Sequence, residues 1–145
     1  MADQTTSDIV VDADAETVMA VIADFDAYPK WATGVKQTEV LEADSAGRPT
    51  QVRFVLDAGP IKDEYVLAYV WEGDHLVTWT LVRAGMLKGM DGAYELDADG
   101  ERTRVTYRLA VDVAMPMIGL MRRKAEKVVI DTALKGLKRR VETGG

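Results

Sequence analysis

The stretch that decides the fold lies near the end of the chain, at residues 116–141, and reads PMIGLMRRKAEKVVIDTALKGLKRRV. Pro116 suits the first position of a helix, where its missing N–H is not needed. No other proline follows it. The spacing of the apolar residues predicts one helix of about 25 residues, which is long for a globular protein.

The apolar residues of this helix divide between two faces when it is wound at about 100° per residue. The first face holds Ile118, Met121, Ala125, Val129, Thr132 and Gly136, and the second holds Ile130, Ala133, Leu134, Leu137 and Val141. A helix on a protein surface usually has one apolar face. Gly136 costs about 1 kcal/mol relative to alanine in a helix interior, so we expect a close neighbour or open space beside it. The pattern favours a long helix clasped by a sheet, with room between them.

The composition predicts one domain over residues 1–145. The chain has 145 residues, of which 48% are hydrophobic, enough to bury a core. It has no cysteine, which excludes disulfides, thiolate metal sites and a cysteine nucleophile. With a single histidine, a metal site would have to consist of carboxylates, and the acidic run at 97–101 lacks the spacing of a calcium loop. We therefore expect no metal and no cofactor.

The sequence shows no targeting or membrane segment. Residues 1–8 are polar and acidic, without the apolar region of a signal peptide. The longest apolar run, at 18–23, is far too short to span a bilayer. We expect a soluble, cytoplasmic protein without stable membrane insertion.

The charge is distributed unevenly along the chain. Residues 117–145 carry eight basic and three acidic residues, whereas the protein as a whole has a net charge of −6. A basic helix can mark a surface for anionic lipid or RNA, but it can equally lie against the acidic body of its own domain. Because an acidic protein is repelled by phosphate backbones at long range, we expect no nucleic-acid partner.

The rest of the chain predicts an α+β fold with an antiparallel sheet. A strand at 7–12 precedes an amphipathic helix in which Val18, Val21, Ile22 and Phe25 follow the spacing i, i+3, i+4, i+7. Pro29 then allows at most one further short helical turn. Alternating patterns separated by turn residues predict six strands, at 35–42, 50–57, 62–71, 75–83, 87–96 and 102–113. Short connections between them indicate an antiparallel meander.

Aromatic side chains concentrate on one predicted face of this sheet. Tyr65, Tyr69, Trp79, Tyr94 and Tyr107 share the face. Each buried tyrosine hydroxyl needs a hydrogen-bond partner, so four on one face favour a cavity over a sealed apolar core. Core packing remains an equal explanation for Trp79.

Further residues are expected around this cavity. Arg83 falls in phase with Trp79 and could meet a carboxylate or phenolate at the mouth, although a strand-end surface position is the alternative. Met90 adjoins a glycine-rich turn that resembles an adaptable entrance, although core packing or a surface contact would explain it equally well. The predicted ligand-binding set is completed by three residues of the helix, Met121, Ala125 and Val129.

Catalytic candidates are weak, and no catalytic residue is assigned. His75, the only histidine, follows a hairpin and is expected on the surface. No serine lies near it in the pattern. The cluster Gly85, Gly89 and Gly92 precedes a strand rather than a helix, which argues against nucleotide binding.

The segment Asp24-x-x-x-Tyr28-Pro29-x-Trp31, directly after the first helix, resembles a motif of the START-like (SRPBCC) superfamily. Together with Gly92-Ala93-Tyr94 at a late strand and the order of elements, the whole chain resembles the polyketide cyclase/dehydrase branch, in particular small actinobacterial members. The resemblance implies a helix-grip fold, with a seven-stranded antiparallel sheet wrapped around the long C-terminal helix. We interpret Trp31 as a plug beneath that helix and Asp24 as its hydrogen-bonding anchor.

Three functions follow as hypotheses. The first is binding of a small hydrophobic or aromatic molecule, such as a lipid, quinone or polyketide-like compound, between sheet and helix. The second is a cyclase or dehydratase that folds a polyketide-like substrate, for which the inner face offers no clear general base. The third is an interaction module that uses the basic helix. A monomer or weak homodimer is expected in each case.

Overall fold

The computed structural model describes residues 4–57, 62–113 and 119–144. Its strands are β1 (Thr5–Val11), β2 (Val35–Ala43), β3 (Pro49–Asp57), β4 (Lys62–Glu72), β5 (Leu76–Ala84), β6 (Leu87–Asp99) and β7 (Arg102–Val113). Its helices are α1 (Ala15–Ala23), a 3-10 turn (Phe25–Ala27), α2 (Tyr28–Trp31) and α3 (Gly119–Thr143). The predicted helix start at Pro116, and Ile118, lie outside the described residues.

The seven strands form one antiparallel sheet in the order β1-β7-β6-β5-β4-β3-β2. Consecutive strands from β2 to β7 are neighbours, as the short turns between them predicted, and β1 is added beside β7. This arrangement confirms the α+β helix-grip architecture. None of the described helices is long and apolar enough to cross a membrane.

Helix α3 lies mainly against β1 and β7, at one side of the sheet. Its fully buried side chains are Glu126, Ile130, Leu134 and Leu137. Three of these belong to the second predicted face, so that face forms the packing surface. The described members of the first predicted face range from half-buried to exposed, with Met121 55% exposed.

Glu126 fastens the first half of α3 to the sheet. Its side chain is 2% exposed. One carboxylate oxygen accepts a hydrogen bond from Oγ1 of Thr5 at 2.6 Å, and the other accepts one from the backbone N–H of Val111, also at 2.6 Å. Pairing between β1 and β7 ends at Thr5 and Leu109. The Val111 amide of β7 therefore has no partner in β1, and the Glu126 carboxylate accepts its hydrogen bond instead.

Gly136 permits a close contact between α3 and α2. A β-carbon added at Gly136 would lie 3.0 Å from the backbone oxygen of Trp31 and 3.4 Å from Cε3 of its ring. Of the two expectations for this glycine, the close neighbour is the one found. Trp31 is buried under the helix, in the position predicted for a plug.

The expected anchor for this plug was wrong. The Asp24 side chain forms no hydrogen bond within the described residues. The segment is held instead by the Tyr28 hydroxyl, which donates to the carbonyl of Ile22, and by Oγ1 of Thr38, which donates to the carbonyl of Phe25 at 2.6 Å. Asp14 is the capping residue, because its carboxylate accepts from the Thr17 amide at 2.8 Å at the start of α1.

A bulge near the end of β5 changes which residue faces inward. Leu67 pairs with Leu81, but the next pair is Val66 with Arg83, so Val82 is an extra residue. Ala84 therefore lies opposite Tyr65, where a regular ladder would have placed Arg83. The prediction that Arg83 shares the face of Trp79 was wrong for this reason, and Arg83 is exposed.

Asp63 holds the turn between β5 and β6. Its two carboxylate oxygens accept hydrogen bonds of 2.8–3.0 Å from four backbone amides, those of Glu64, Gly85, Met86 and Leu87. Burial raises the pKa of Asp63, but the four amides lower it more, so the pKa lies below its usual value. The charged carboxylate is thus the form that stabilises this turn.

We expect Asp63→Asn to lower the free energy of unfolding at about pH 7 by roughly 1–2 kcal/mol, because an amide group cannot accept from all four donors. Since the folded pKa is depressed, the stabilisation is complete above about pH 4 and is lost as the pH falls through the folded value. Urea denaturation of the variant and of the unaltered protein, at about pH 7 and again at a pH below about 4, would measure the difference in the free energy of unfolding. The control is Asp97→Asn, an exposed hairpin residue; equal effects of the two variants would contradict the role of Asp63.

We expect Gly136→Ala to destabilise the protein, even though alanine favours a helix by about 1 kcal/mol. The added methyl group would force apart α3 and the Trp31 backbone, which cannot turn aside as a flexible side chain does. Thermal unfolding would measure the change, with Lys135→Ala as a control at an exposed position of the same turn. A higher melting temperature for Gly136→Ala would show that the contact with Trp31 is not restrictive.

Candidate ligand-binding site

The predicted aromatic cluster is present on the inner face of the sheet. Tyr65 and Tyr69 come from β4, Trp79 from β5, Tyr94 from β6 and Tyr107 from β7. The four tyrosines are 6–8% exposed and Trp79 is 4% exposed. Alternation along adjacent antiparallel strands brings them together, because residues two apart on each strand point to the same side.

The rings contact one another in a continuous series. Tyr94 and Tyr107 have their centroids 4.6 Å apart, and both pack against Trp79, at 5.4 and 5.5 Å. Trp79 also meets Tyr69 at 5.7 Å. Such distances are typical of tilted and edge-to-face aromatic pairs. The inner face of the middle strands is therefore lined by aromatic surface.

Five more aromatic residues extend this series and were not included in the predicted site: Phe25, Tyr28, Trp31, Phe54 and Trp71. Phe25 contacts Tyr69 at 4.8 Å and Tyr28 at 4.8 Å, and Phe54 stacks on Tyr65 at 5.3 Å. Phe54 could have been found from its alternation with Val52 on a predicted strand. Phe25 was assigned to the first helix, but it lies in the 3-10 turn that follows α1.

Gly92 makes room for the indole of Trp79. The two residues are paired across β5 and β6. A β-carbon at Gly92 would lie only 2.2 Å from Cε2 of Trp79, so the ring lies directly across the glycine backbone. A side chain at position 92 would therefore displace the indole of Trp79.

The hydroxyls of the four tyrosines have no hydrogen-bond partner among the described residues. No hydrogen bond joins the hydroxyl of Tyr65, Tyr69, Tyr94 or Tyr107 to any group in the described ranges. Among the described residues, the only buried side-chain nitrogen or oxygen atom that has neither a partner nor contact with open space is Nε1 of Trp31. The four hydroxyl oxygens are therefore not among the fully enclosed unpartnered atoms, although their rings are buried.

Burial determines the protonation state of these hydroxyls. It raises the pKa of Tyr65, Tyr69, Tyr94 and Tyr107 well above the usual value, because a phenolate is poorly solvated there. For Tyr69, repulsion from the other tyrosines, including Tyr28, adds to the effect of burial on the pKa. The groups are consequently neutral hydrogen-bond donors at physiological pH and cannot act as bases.

The remaining predicted site residues are placed differently from one another. Met90 is half-buried and packs against the core, as does Val129 of α3. Ala125 is also half-buried. Met121 is largely exposed, and Arg83 lies on the outside of the sheet beyond the bulge. The structure thus brings eight of the ten residues to the interior or its border and leaves these two outside.

Ionic chemistry is sparse within this interior. Glu126 is the only buried charged side chain among the described residues, and both of its carboxylate oxygens are already bonded. His75 is exposed at its hairpin, as predicted. No group of acidic or histidine side chains in the described ranges could hold a metal ion.

Two clefts lie away from the aromatic cluster, on either side of Trp31. The larger, of about 590 Å³, lies between α1 and the last turns of α3 and is lined by Asp14, Glu16 and Asp24 together with Arg140. The smaller, of about 380 Å³, lies where the turn from α2 into β2 meets α3. Both are open to solvent and are formed by different residues from the inner face of the sheet.

Solved structures share this fold over their full lengths. A START superfamily protein from Mycobacterium smegmatis is 23% identical, with a TM-score of 0.92 over 99% of this chain and 100% of its own. A protein from Thermus thermophilus is 21% identical, with a TM-score of 0.80 over 98% and 99% of the two chains. The Zhui aromatase/cyclase from a Streptomyces species is 18% identical, with a TM-score of 0.70 over 98% and 97%.

The family is shown by the sequence itself. No curated protein matches the chain. The model of the family described as polyketide cyclase/dehydrase and lipid transport matches residues 2–142, which is nearly the whole sequence. Its extent agrees with the sheet and helices described above. The chain therefore belongs to the polyketide cyclase/dehydrase and lipid transport family.

Proposed function

We propose that the protein binds a small, largely apolar molecule between the inner face of its sheet and helix α3. The observation that carries this proposal is the set of four tyrosine hydroxyls, in a buried aromatic surface, that have no hydrogen-bond partner among the described residues. Leaving a buried hydroxyl without a hydrogen bond costs about 1–3 kcal/mol. Water or a ligand with acceptor atoms would remove that cost, and this supports a binding surface over a sealed core.

The chemistry of the cluster defines what the ligand must offer. Tyr94, Tyr107 and Tyr69 present neutral O–H donors among aromatic rings, so the ligand needs oxygen acceptors on a flat or flexible apolar body. Quinones, polyketide-like ketones and lipid esters share these properties. Burial of the apolar part supplies about 25 cal/mol per Å², and the hydroxyls fix its orientation.

The enzymatic alternative, a cyclase or dehydratase, finds less support in the site. The neutral tyrosines could stabilise an enolate oxygen, and the fold is shared with an aromatase/cyclase. However, such a reaction also needs a group that removes a proton. The tyrosines have raised pKa values, and Glu126 is engaged by Thr5 and Val111. Binding without turnover is therefore the function that we infer.

Paired native and denaturing mass spectra of the protein purified from its own host test this function directly. We expect an extra mass in the native spectrum that disappears on denaturation, together with a released compound that carries oxygen acceptors. Added back to stripped protein, that compound should raise the melting temperature, because ligands that bind only the folded state stabilise it. No adduct, and no stabilisation by a panel of lipids, quinones and polyketide-like ketones, would contradict the proposal.

Removing the hydroxyls separates binding from folding. We expect Tyr94→Phe and Tyr107→Phe to leave the free energy of unfolding unchanged or higher, because these hydroxyls have no partner to lose, and to weaken binding of the ligand about tenfold. The matched control is Tyr28→Phe. Its hydroxyl donates to the Ile22 carbonyl, so that variant should lose about 1 kcal/mol of stability. A stability loss in all three variants, with unchanged binding, would assign the cluster to the core.

A further inference from the structure

The smaller cleft beside Trp31 has an unusual distribution of charge. Lys30, Lys36 and Arg139 line it, and no acidic residue does. The protein as a whole has 24 acidic and 18 basic residues. A cleft lined by basic residues and no acidic residue therefore differs from the average charge of the protein. The neighbouring cleft on the other side of Trp31, with three carboxylates, shows the opposite character.

The three cations are exposed and have no partners among the described residues. Some other basic side chains of this protein are paired, such as Arg48 with Asp74 at 2.6 Å and Arg108 with Glu95 at 2.6 Å. The side chains of Lys30, Lys36 and Arg139 make no ion pair or hydrogen bond within the described part of the chain. Like charges that share a cleft repel one another, and an anion between them removes that repulsion.

Two residues that line this cleft also have backbone amides without a hydrogen-bond partner among the described residues. Thr33 and Gly34 form the turn between α2 and β2 and also line the cleft. Their neighbours are bonded, since the Ala32 amide donates to the Tyr28 carbonyl at 2.7 Å and the Val35 amide to the Ala32 carbonyl at 3.1 Å. No acceptor in the described ranges serves the amides of Thr33 and Gly34.

We propose that this cleft binds a phosphate group, carried either by a small soluble molecule or by a lipid. Two lysines, one arginine and two amides provide more donors than the two oxygens of a carboxylate can use, whereas a phosphate monoester has three terminal oxygens. A volume of about 380 Å³ suits a small phosphorylated compound. The site is separate from the aromatic cluster, and it does not depend on the function proposed above.

Such a ligand would contact three elements of the fold at once, namely α2, β2 and α3. Arg139 comes from α3, Lys30 from α2 and Lys36 from β2. Gly136 and Trp31, where α3 contacts α2, also line the cleft. A phosphate held by all three cations would therefore strengthen the attachment of the last turns of α3.

The test is a titration of the full chain, at constant ionic strength, with inorganic phosphate and glycerol 3-phosphate, followed by amide NMR. We expect saturable shifts of the Thr33 and Gly34 amides and of the indole N–H of Trp31, together with a higher melting temperature. Lys36→Ala and Arg139→Ala should each weaken binding about tenfold. Circular dichroism would establish that both variants are folded.

Arg123→Ala is the control, because Arg123 is an exposed cation of α3 outside the cleft. The phosphate affinity of this variant should equal that of the unaltered protein.

Phosphatidylcholine vesicles with and without phosphatidic acid distinguish the two sources of the phosphate group. Binding to phosphatidic acid that requires Lys36 and Arg139 supports a lipid headgroup, and binding of glycerol 3-phosphate supports a soluble ligand. No saturable response to any probe, or equal losses in Arg123→Ala, would overturn the proposal.

Discussion

One helix is too narrow to cover a seven-stranded sheet, and the rest of this structure follows from that mismatch. Strands lie about 4.8 Å apart, so seven of them span roughly 30 Å, whereas a helix with its side chains is about 10–12 Å wide. Helix α3 packs against β1 and β7. The inner faces of β3 to β6 must be covered by something else.

The rest of the sheet is covered in two ways, by a short helical segment at one end and by aromatic side chains over the middle strands. At one end, the segment from Phe25 to Trp31 closes the interior, with Trp31 packed beneath Gly136 of α3. Over the middle strands, large aromatic side chains fill the width that the helix does not reach. Tyrosine does this with a ring that is buried and a hydroxyl that still requires a partner. The aromatic cluster thus forms part of the buried core, while its hydroxyls have no hydrogen-bond partner among the described residues.

Local patterns predicted most of this fold because they depend on neighbours in sequence. Alternation identified β2 to β7, and the proline-free run near the end of the chain identified α3. The same patterns placed Tyr65, Tyr69, Trp79, Tyr94 and Tyr107 on one face correctly, since each strand needs only its own period to orient its side chains. The family resemblance then supplied the way in which sheet and helix combine.

Features that depend on contacts between distant residues were missed or misjudged. A helical wheel shows two apolar faces but not which one meets the sheet, and it gives no reason to bury Glu126, whose partners are 121 and 15 residues away. The inward position of Ala84 depends on a bulge that is defined only by pairing with β4. Likewise, the packing of Trp79 across Gly92 depends on the pairing of β5 with β6. The hydrogen bonds of Asp63 join β4 to the turn between β5 and β6.

The exclusion of Arg83 from the interior has a consequence for the ionisation state of any ligand that binds as proposed above. Within the described residues, no lysine, arginine or histidine side chain is buried. A compound that carries a carboxylate or phenolate would therefore lose its hydration without gaining a counter-charge, which is unfavourable by several kcal/mol. A weakly acidic compound would enter as its neutral form, so its uptake would decline at a pH above its own pKa, with no titrating group of the protein involved.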